Sequence, residues 1–242
     1  MARLDIDTIV LSGGLGTRLR SVVPGQKTVA PIGGQAVLGH TLDLLEAAGI
    51  ERIVFAVGHR ADDVVAFANA RVGRKAQYHF SREDTPLGTG GAIRHAAAQT
   101  SSSEILVLNG DSFVKSDPGL LVEFHRRKHA RICLLAVEVP ETGRYGRLEI
   151  GSDDSVRAFH EKSDEKAGAG WINAGVYVID RAEIDRFPSG SFSLERDVLP
   201  GYCSNGLYAL KSTAPFIDIG TPESFRTAEE FFKKYGSPRT SS

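Results

Sequence analysis

Apolar residues fall along this chain in two spacings. Continuous apolar runs rich in β-branched residues predict buried strands, at Ile6–Leu11, Arg52–Val57 and Glu104–Leu108, with a shorter strand at Gln77–Ser81. Between them, apolar residues recur every three to four positions over Val37–Ala48 (closed by Gly49), Ala61–Ala70 and Gly90–Gln99, the spacing of amphipathic helices. A strand–helix–strand alternation of this kind predicts an α/β fold with a mostly parallel mixed sheet and helices on both faces. In such sheets, ligands bind beyond the carboxyl ends of the strands.

After about residue 130 the texture changes. Strand-like runs follow at Arg131–Val139, Gly146–Ile150, Val156–His160 and Trp171–Ile179, with turns at Gly143, Asp153–Asp154 and Lys166–Gly170. Helices are expected near Ala182–Phe187 and Leu194–Leu199, then a strand at Leu207–Lys211 and a last helix from about Glu223 to Lys234. We read this half as an extension of the same sheet. The expectation is one domain over residues 1–235, divided into halves at 1–130 and 131–235, with a disordered tail at 236–242.

Composition narrows the classes. With 242 residues and 41% hydrophobic content, the chain can bury a full core as one large domain. A net charge of −1 offers no general attraction to nucleic acid or anionic membrane, and no apolar run approaches the ~20 residues of a membrane span. Cys133 and Cys203 show no C-x-x-C or zinc spacing and read as free thiols of a cytoplasmic protein.

Chemistry concentrates first in Leu11-Ser12-Gly13-Gly14-Leu15-Gly16-Thr17-Arg18, which follows the first strand and runs on to Lys27. The glycines let backbone N–H groups approach phosphate oxygens. Arg18 supplies a fixed fork of donors, and Lys27, the only lysine in the first 74 residues, a mobile point charge. The dinucleotide fingerprint fails because Leu19 stands where its third glycine belongs. The P-loop fails because Gln26, not glycine, precedes Lys27-Thr28. A loop holding a nucleoside triphosphate and a plain strand-to-helix turn bordered by surface arginines remain as alternatives.

Gly13-Gly14-x-Gly16-Thr17-Arg18-Leu19, followed by Lys27-x-x-Ala30-Pro31-Ile32, resembles the signature of the sugar-phosphate nucleotidylyltransferases, the NDP-sugar pyrophosphorylases. The segment before Lys27 is shorter than is usual in that family, Ser12 stands where alanine is common, and Thr28 where proline is. The resemblance covers roughly residues 6–235 and implies a Rossmann-like nucleotidyltransferase fold. It also implies catalytic roles for Arg18, Lys27 and Asp111. Asp111 lies in Asn109-Gly110-Asp111-Ser112, which ends a buried strand, and Asp218 opens Asp218-Ile219-Gly220-Thr221-Pro222. In the family these two aspartates hold the catalytic divalent ion, Mg²⁺, which suits carboxylates and water. Each aspartate could instead serve as a structural cap.

For the nucleotide, the resemblance implies contacts from Leu11, Gly13, Gly14, Gly16 and Thr17, and from Glu83, Pro86, Gly88 and Thr89 of Glu83-x-x-Pro86-Leu87-Gly88-Thr89-Gly90-Gly91. Glu83 stands where the base edge is read. An ionised carboxylate only accepts, which suits the two adjacent donors of guanine better than the single donor of uracil or thymine. For the sugar 1-phosphate, it implies Asn109, Tyr145 and Gly146, then Glu161 and Lys162 of Phe159-His160-Glu161-Lys162. Asn173 and Gly175 of Asn173-Ala174-Gly175-Val176-Tyr177, and Glu195 of Ser193-Leu194-Glu195-Arg196-Asp197, complete that set.

Taken together, the motifs are most similar to guanylyltransferases acting on D-glycero-α-D-manno-heptose 1-phosphate. The implied partners are GTP and a manno-heptose 1-phosphate, with a homodimer common for the fold. Alternatives are a guanylyl-, uridylyl- or thymidylyltransferase acting on mannose or glucose 1-phosphate, and a catalytically silent nucleotide-sugar sensor. A glycosyltransferase would need a D-x-D pair, but Ser112 and Phe113 follow Asp111.

Overall fold

The computed structural model describes residues 4–14, 16, 19, 25–143, 145–160 and 168–236. Its strands are β1 (Asp7–Leu11), β2 (Pro31–Ile32), β3 (Gln35–Ala36), β4 (Arg52–Val57), β5 (Gln77–Arg82), β6 (Glu104–Asn109), β7 (Ser112–Val114), β8 (Ile132–Val139), β9 (Arg147–Ile150), β10 (Val156–His160), β11 (Gly170–Asp180), β12 (Leu207–Ser212) and β13 (Phe216–Asp218). The helices are α1 (Val37–Ala47), α2 (Ala61–Ala70), α3 (Gly88–Ala97), α4 (Pro118–Lys128), α5 (Arg181–Arg186) and α6 (Pro222–Tyr235).

Seven strands form one sheet in the order β12-β8-β11-β6-β1-β4-β5. Every neighbouring pair is parallel except the two that β11 makes, with β6 and with β8. Six strands therefore run one way and β11 alone runs against them. Their carboxyl ends and the first half of β11 come to the same edge. The sheet is apolar on both sides, as strands covered by helices must be. Val10, Phe55, Leu106 and Cys133 face α1, α2 and α4, whereas Ile9, Val54, Ile105 and Leu134 face α3 and α5.

Five features depart from the expected elements. The strands at Arg147–Ile150 and Val156–His160 do not extend the large sheet; they pair with each other as an antiparallel hairpin. The short strands β7 and β13, absent from the sequence reading, pair antiparallel just beyond β6. The β2–β3 hairpin is a second antiparallel pair that the reading lacks. Helix α4 was also missed, although its start is marked: the Asp117 carboxylate accepts from the Gly119 N–H (2.8 Å) and Pro118 fills the first turn. Leu194–Val198 is a single wide π-type turn rather than an α-helix. Of the expected tail, only Gly236 lies among the described residues.

Helix α6 begins with Thr221 and Ser224 capping each other reciprocally and closes a third core on Ile32, Val37, Phe113, Ile217 and Ile219. His40 of α1 stacks on Phe232 of α6 at 4.2 Å between ring centroids. Among the described residues, no helix is long and apolar enough to cross a membrane.

Register explains one sequence feature. Val176 of β11 pairs with Leu108 of β6, so Gly175 comes opposite Asn109, where β11 bulges between Asn173 and Tyr177. Gly175 has φ +74°, and a Cβ there would stand 2.5 Å from Asn109 Nδ2. Gly175→Ala is expected to cost about 1–3 kcal/mol from the left-handed backbone alone. At about 2–4 °C per kcal/mol for a chain of this size, that lowers the melting temperature by ~2–12 °C in a thermal scan. An unchanged melting temperature would refute the packing argument.

Candidate active site

The carboxyl end of β6 is the centre of the site. Gly110 follows it, its N–H donates to the Leu11 carbonyl (2.8 Å), and a Cβ there would stand 2.6 Å from both Leu11 O and Ser12 Oγ. Only glycine lets the ends of β1 and β6 close this tightly. Two cavities open from this point and share Asn109. The first, about 280 Å³, is bordered by Leu11, Gly13, Gly14, Lys27, Glu83, Pro86, Gly88, Thr89 and Asp111. The second, about 450 Å³, is bordered by Tyr145, Gly146, Asn173, Gly175, Glu195 and Asp218, with Tyr177, Phe159 and Phe216 as an aromatic wall.

The first cavity brings together much of the expected nucleotide set. Gly14 has open space where a Cβ would lie, so a ligand can approach its backbone. Gly13 serves the protein instead, because a side chain would come within 3.2 Å of Gly58 N and Glu83 Oε1. Gly16 has φ +57° and lies beside the stem of Lys27. The Lys27 ammonium forms an ion pair with the Asp111 carboxylate. Thr17, Arg18, Glu161 and Lys162 lie outside the described residues.

Glu83 presents one carboxylate oxygen to the Leu87 N–H (3.0 Å). Burial pushes its carboxyl pKa up, against the pull of that N–H and of His95 nearby. The glycines of the next segment do not form a phosphate cradle. A Cβ at Gly88 would meet Phe192 O at 2.4 Å and one at Gly90 the Phe192 ring at 2.2 Å. The Gly90 and Gly91 N–H groups donate to the Phe192 carbonyl, so the amino end of α3 is spent on docking that chain segment.

Asp111 and Asp218 are held side by side by backbone. Asp218 stands opposite Ser112 in the β7–β13 pair, and the Ile219 N–H donates to the Asp111 carbonyl (2.9 Å). The cap of α6 is Thr221; Asp218 instead accepts from the Gly220 N–H (3.0 Å). Among the described residues no cluster of three or more His, Cys, Asp or Glu offers a metal site. The Asp111 and Asp218 carboxylates and the Asn109 Oδ1, which is buried and has no partner, are hard oxygen donors of the kind that fits a hydrated Mg²⁺.

Three residues were missed by sequence reasoning. Ser12 and Thr28, noted only as departures, border the first cavity with buried hydroxyls that have no partner. Gln26, used only to exclude a P-loop, is buried, and its Nε2 reaches the carbonyls of Ser12 (2.9 Å), His59 (3.1 Å) and Gly14 (3.4 Å). Its own N–H donates to Asp63 (3.1 Å). This amide pins the glycine loop to the end of β4. No spacing rule marks such a residue.

A profile of the family described as "Nucleotidyl transferase" matches residues 7–235. A mannose-1-phosphate guanylyltransferase of Mycobacterium tuberculosis is 34% identical over 93% of this chain, which spans 64% of that relative's length. A D-glycero-α-D-manno-heptose 1-phosphate guanylyltransferase of Aneurinibacillus thermoaerophilus is 34% identical over 95% of this chain and its own full length. The crystal structure of HddC from Yersinia pseudotuberculosis complexed with GMP-PN superposes with a TM-score of 0.84 at 34% identity, covering 94% of this chain and 99% of that one.

Gln26→Glu turns a donor into an acceptor facing three carbonyls, a change expected to cost about 1–3 kcal/mol. We expect a lower melting temperature and at least a tenfold weaker nucleoside triphosphate affinity by calorimetry. Unchanged affinity would show that Gln26 does not hold the loop.

Proposed function

The chain belongs to the nucleotidyl transferase family, and we propose that it transfers GMP from GTP to D-glycero-α-D-manno-heptose 1-phosphate, releasing pyrophosphate. The observation that carries this reading is the meeting of two cavities at Asn109, beside Lys27 and Asp111. GTP takes the first cavity and the sugar 1-phosphate the second. Similarity to proteins named as heptose guanylyltransferases over their whole length supports the choice of sugar and base. Glu83 supports guanine, since an ionised carboxylate can take N1–H and the 2-amino group together. The free thiols and soluble-type composition support a cytoplasmic enzyme.

No general base is required. The attacking oxygen of the sugar phosphate is already anionic; it bonds to the α-phosphorus while the bond to the bridging oxygen breaks and pyrophosphate leaves. Catalysis is then positioning and charge neutralisation. Lys27 neutralises the α-phosphate, Arg18 the departing pyrophosphate, and Lys162 the incoming phosphate. Asp111 and Asp218 would hold Mg²⁺, which supplies further charge neutralisation where the phosphates meet. Leu11, Gly14, Gly16, Thr17 and Pro86 frame the nucleotide. Tyr145, Gly146, Asn173, Gly175, Glu161 and Glu195 frame the sugar.

The test is pyrophosphate release with Mg²⁺ across GTP, ATP, UTP and dTTP against the 1-phosphates of manno-heptose, mannose and glucose. Release confined to GTP with the heptose is expected. Release with mannose 1-phosphate would overturn the sugar, release with UTP or dTTP the base, and silence throughout the activity. Arg18→Ala and Asp111→Asn should each lower kcat by ~10²–10³. Because the Glu83 carboxyl titrates above the ordinary carboxylate range, its acceptor form is lost early as pH falls. GTP KM should therefore rise on acidification with an inflection above that range, and Glu83→Gln should abolish the inflection.

A further inference from the structure

Thr89 borders the first cavity, yet its hydroxyl is committed elsewhere. It donates to Glu195 Oε2 (2.6 Å) and accepts from the Leu194 N–H (2.8 Å). A hydroxyl has one proton, so Thr89 has none left to give a nucleotide in that position. Glu195 stands in the wall of the second cavity and takes two more bonds, from Ser193 Oγ to Oε2 (3.0 Å) and from the Tyr177 hydroxyl to Oε1 (3.1 Å). Tyr177 is fully buried and accepts in turn from Asn173 Nδ2 (2.8 Å), while Asn173 Oδ1 accepts from the Gly175 N–H (3.0 Å). This chain of bonds runs from the amino end of α3 to the β11 bulge opposite Asn109.

The docking of Gly88 and Gly90 against Phe192 gives the same connection a rigid backbone. We infer that Thr89 is a positioning residue for the sugar 1-phosphate: a side chain bordering the nucleotide cavity whose work is to aim Glu195, Tyr177 and Asn173 at the neighbouring one. It acts through those residues and touches neither reacting atom. This rests on the second cavity being the sugar site.

The experiment is calorimetry with two titrations on wild type and Thr89→Val, which keeps the shape and removes the hydroxyl. One titrates a GTP analogue whose α and β phosphates are joined by methylene, which blocks transfer. The other titrates manno-heptose 1-phosphate into protein saturated with that analogue and Mg²⁺. Thr89→Val is expected to weaken the sugar phosphate at least tenfold and the analogue less than threefold, with Thr89→Ser restoring wild-type values. Tyr177→Phe should give the same split, and the double variant should be little worse than either single one, as residues of one network behave. A sugar Kd unmoved by Thr89→Val, or an analogue Kd that rises as much, overturns the inference. No binding of manno-heptose 1-phosphate by the wild type would overturn the heptose reading on which the inference rests, and the inference with it.

Discussion

Strand β6 is bonded to both halves of the molecule, parallel to β1 on one side and antiparallel to β11 on the other. Everything that faces the two cavities depends on how closely those three strands end. The contact that sets the distance is Gly110 N–H to Leu11 O, possible only without a Cβ. Once it forms, Asn109 is fixed between the cavities, Asp111 is directed to Lys27, and β7 is placed to receive β13. Asp218 thus reaches the site through backbone pairing rather than through a long side chain. Short connections between strand ends make the arrangement stiff, which a reaction depending on alignment requires.

The glycines divide by what approaches them. Gly14 faces open space, Gly13 faces protein at a tight 3.1 Å, and Gly88, Gly90 and Gly175 each face protein at a distance no Cβ tolerates. Glycine-rich loops invite the reading that the backbone cradles phosphate. Here most of the glycines allow one chain segment to lie against another, and the ligand-facing surface is what those contacts leave. The phosphate argument is thus carried by few backbone positions and chiefly by charged side chains.

Much of the architecture was legible because the forces behind it are periodic. Ile9 and Val10 are both buried since the sheet is covered on both faces, and that shows in sequence as an unbroken apolar run. The motif residues of the two cavities were legible through resemblance. What escaped has no period. The β7–β13 pair contains three residues on each strand and is held by tertiary contacts of Phe113 and Ile217 with α6. Helix α4 was legible and overlooked: Asp117-Pro118 and the basic run at its end are ordinary boundary signals. Gln26 could be found only from coordinates, since its role lies in which carbonyls happen to converge on one amide.

The Lys27–Asp111 pair shows why the site's charges cannot be weighed one at a time. Their side chains are 16% and 26% exposed, so among the described residues each offers the other a counter-charge in a partly desolvated pocket. Removing either leaves its partner poorly compensated, a larger disturbance than losing one hydrogen bond. A change at Asp111 therefore has two parts: the loss of a carboxylate from the cavity wall, and the release of an ammonium whose direction that carboxylate fixed. The two parts separate only in a cycle in which Lys27 is neutralised as well, because the release of Lys27 has no meaning once its charge is gone. The same reasoning applies to Glu195, whose carboxylate is shared by three hydroxyls from three segments. In both places a single acidic side chain joins separate segments of the fold at a cavity wall, so its chemistry belongs to the junction.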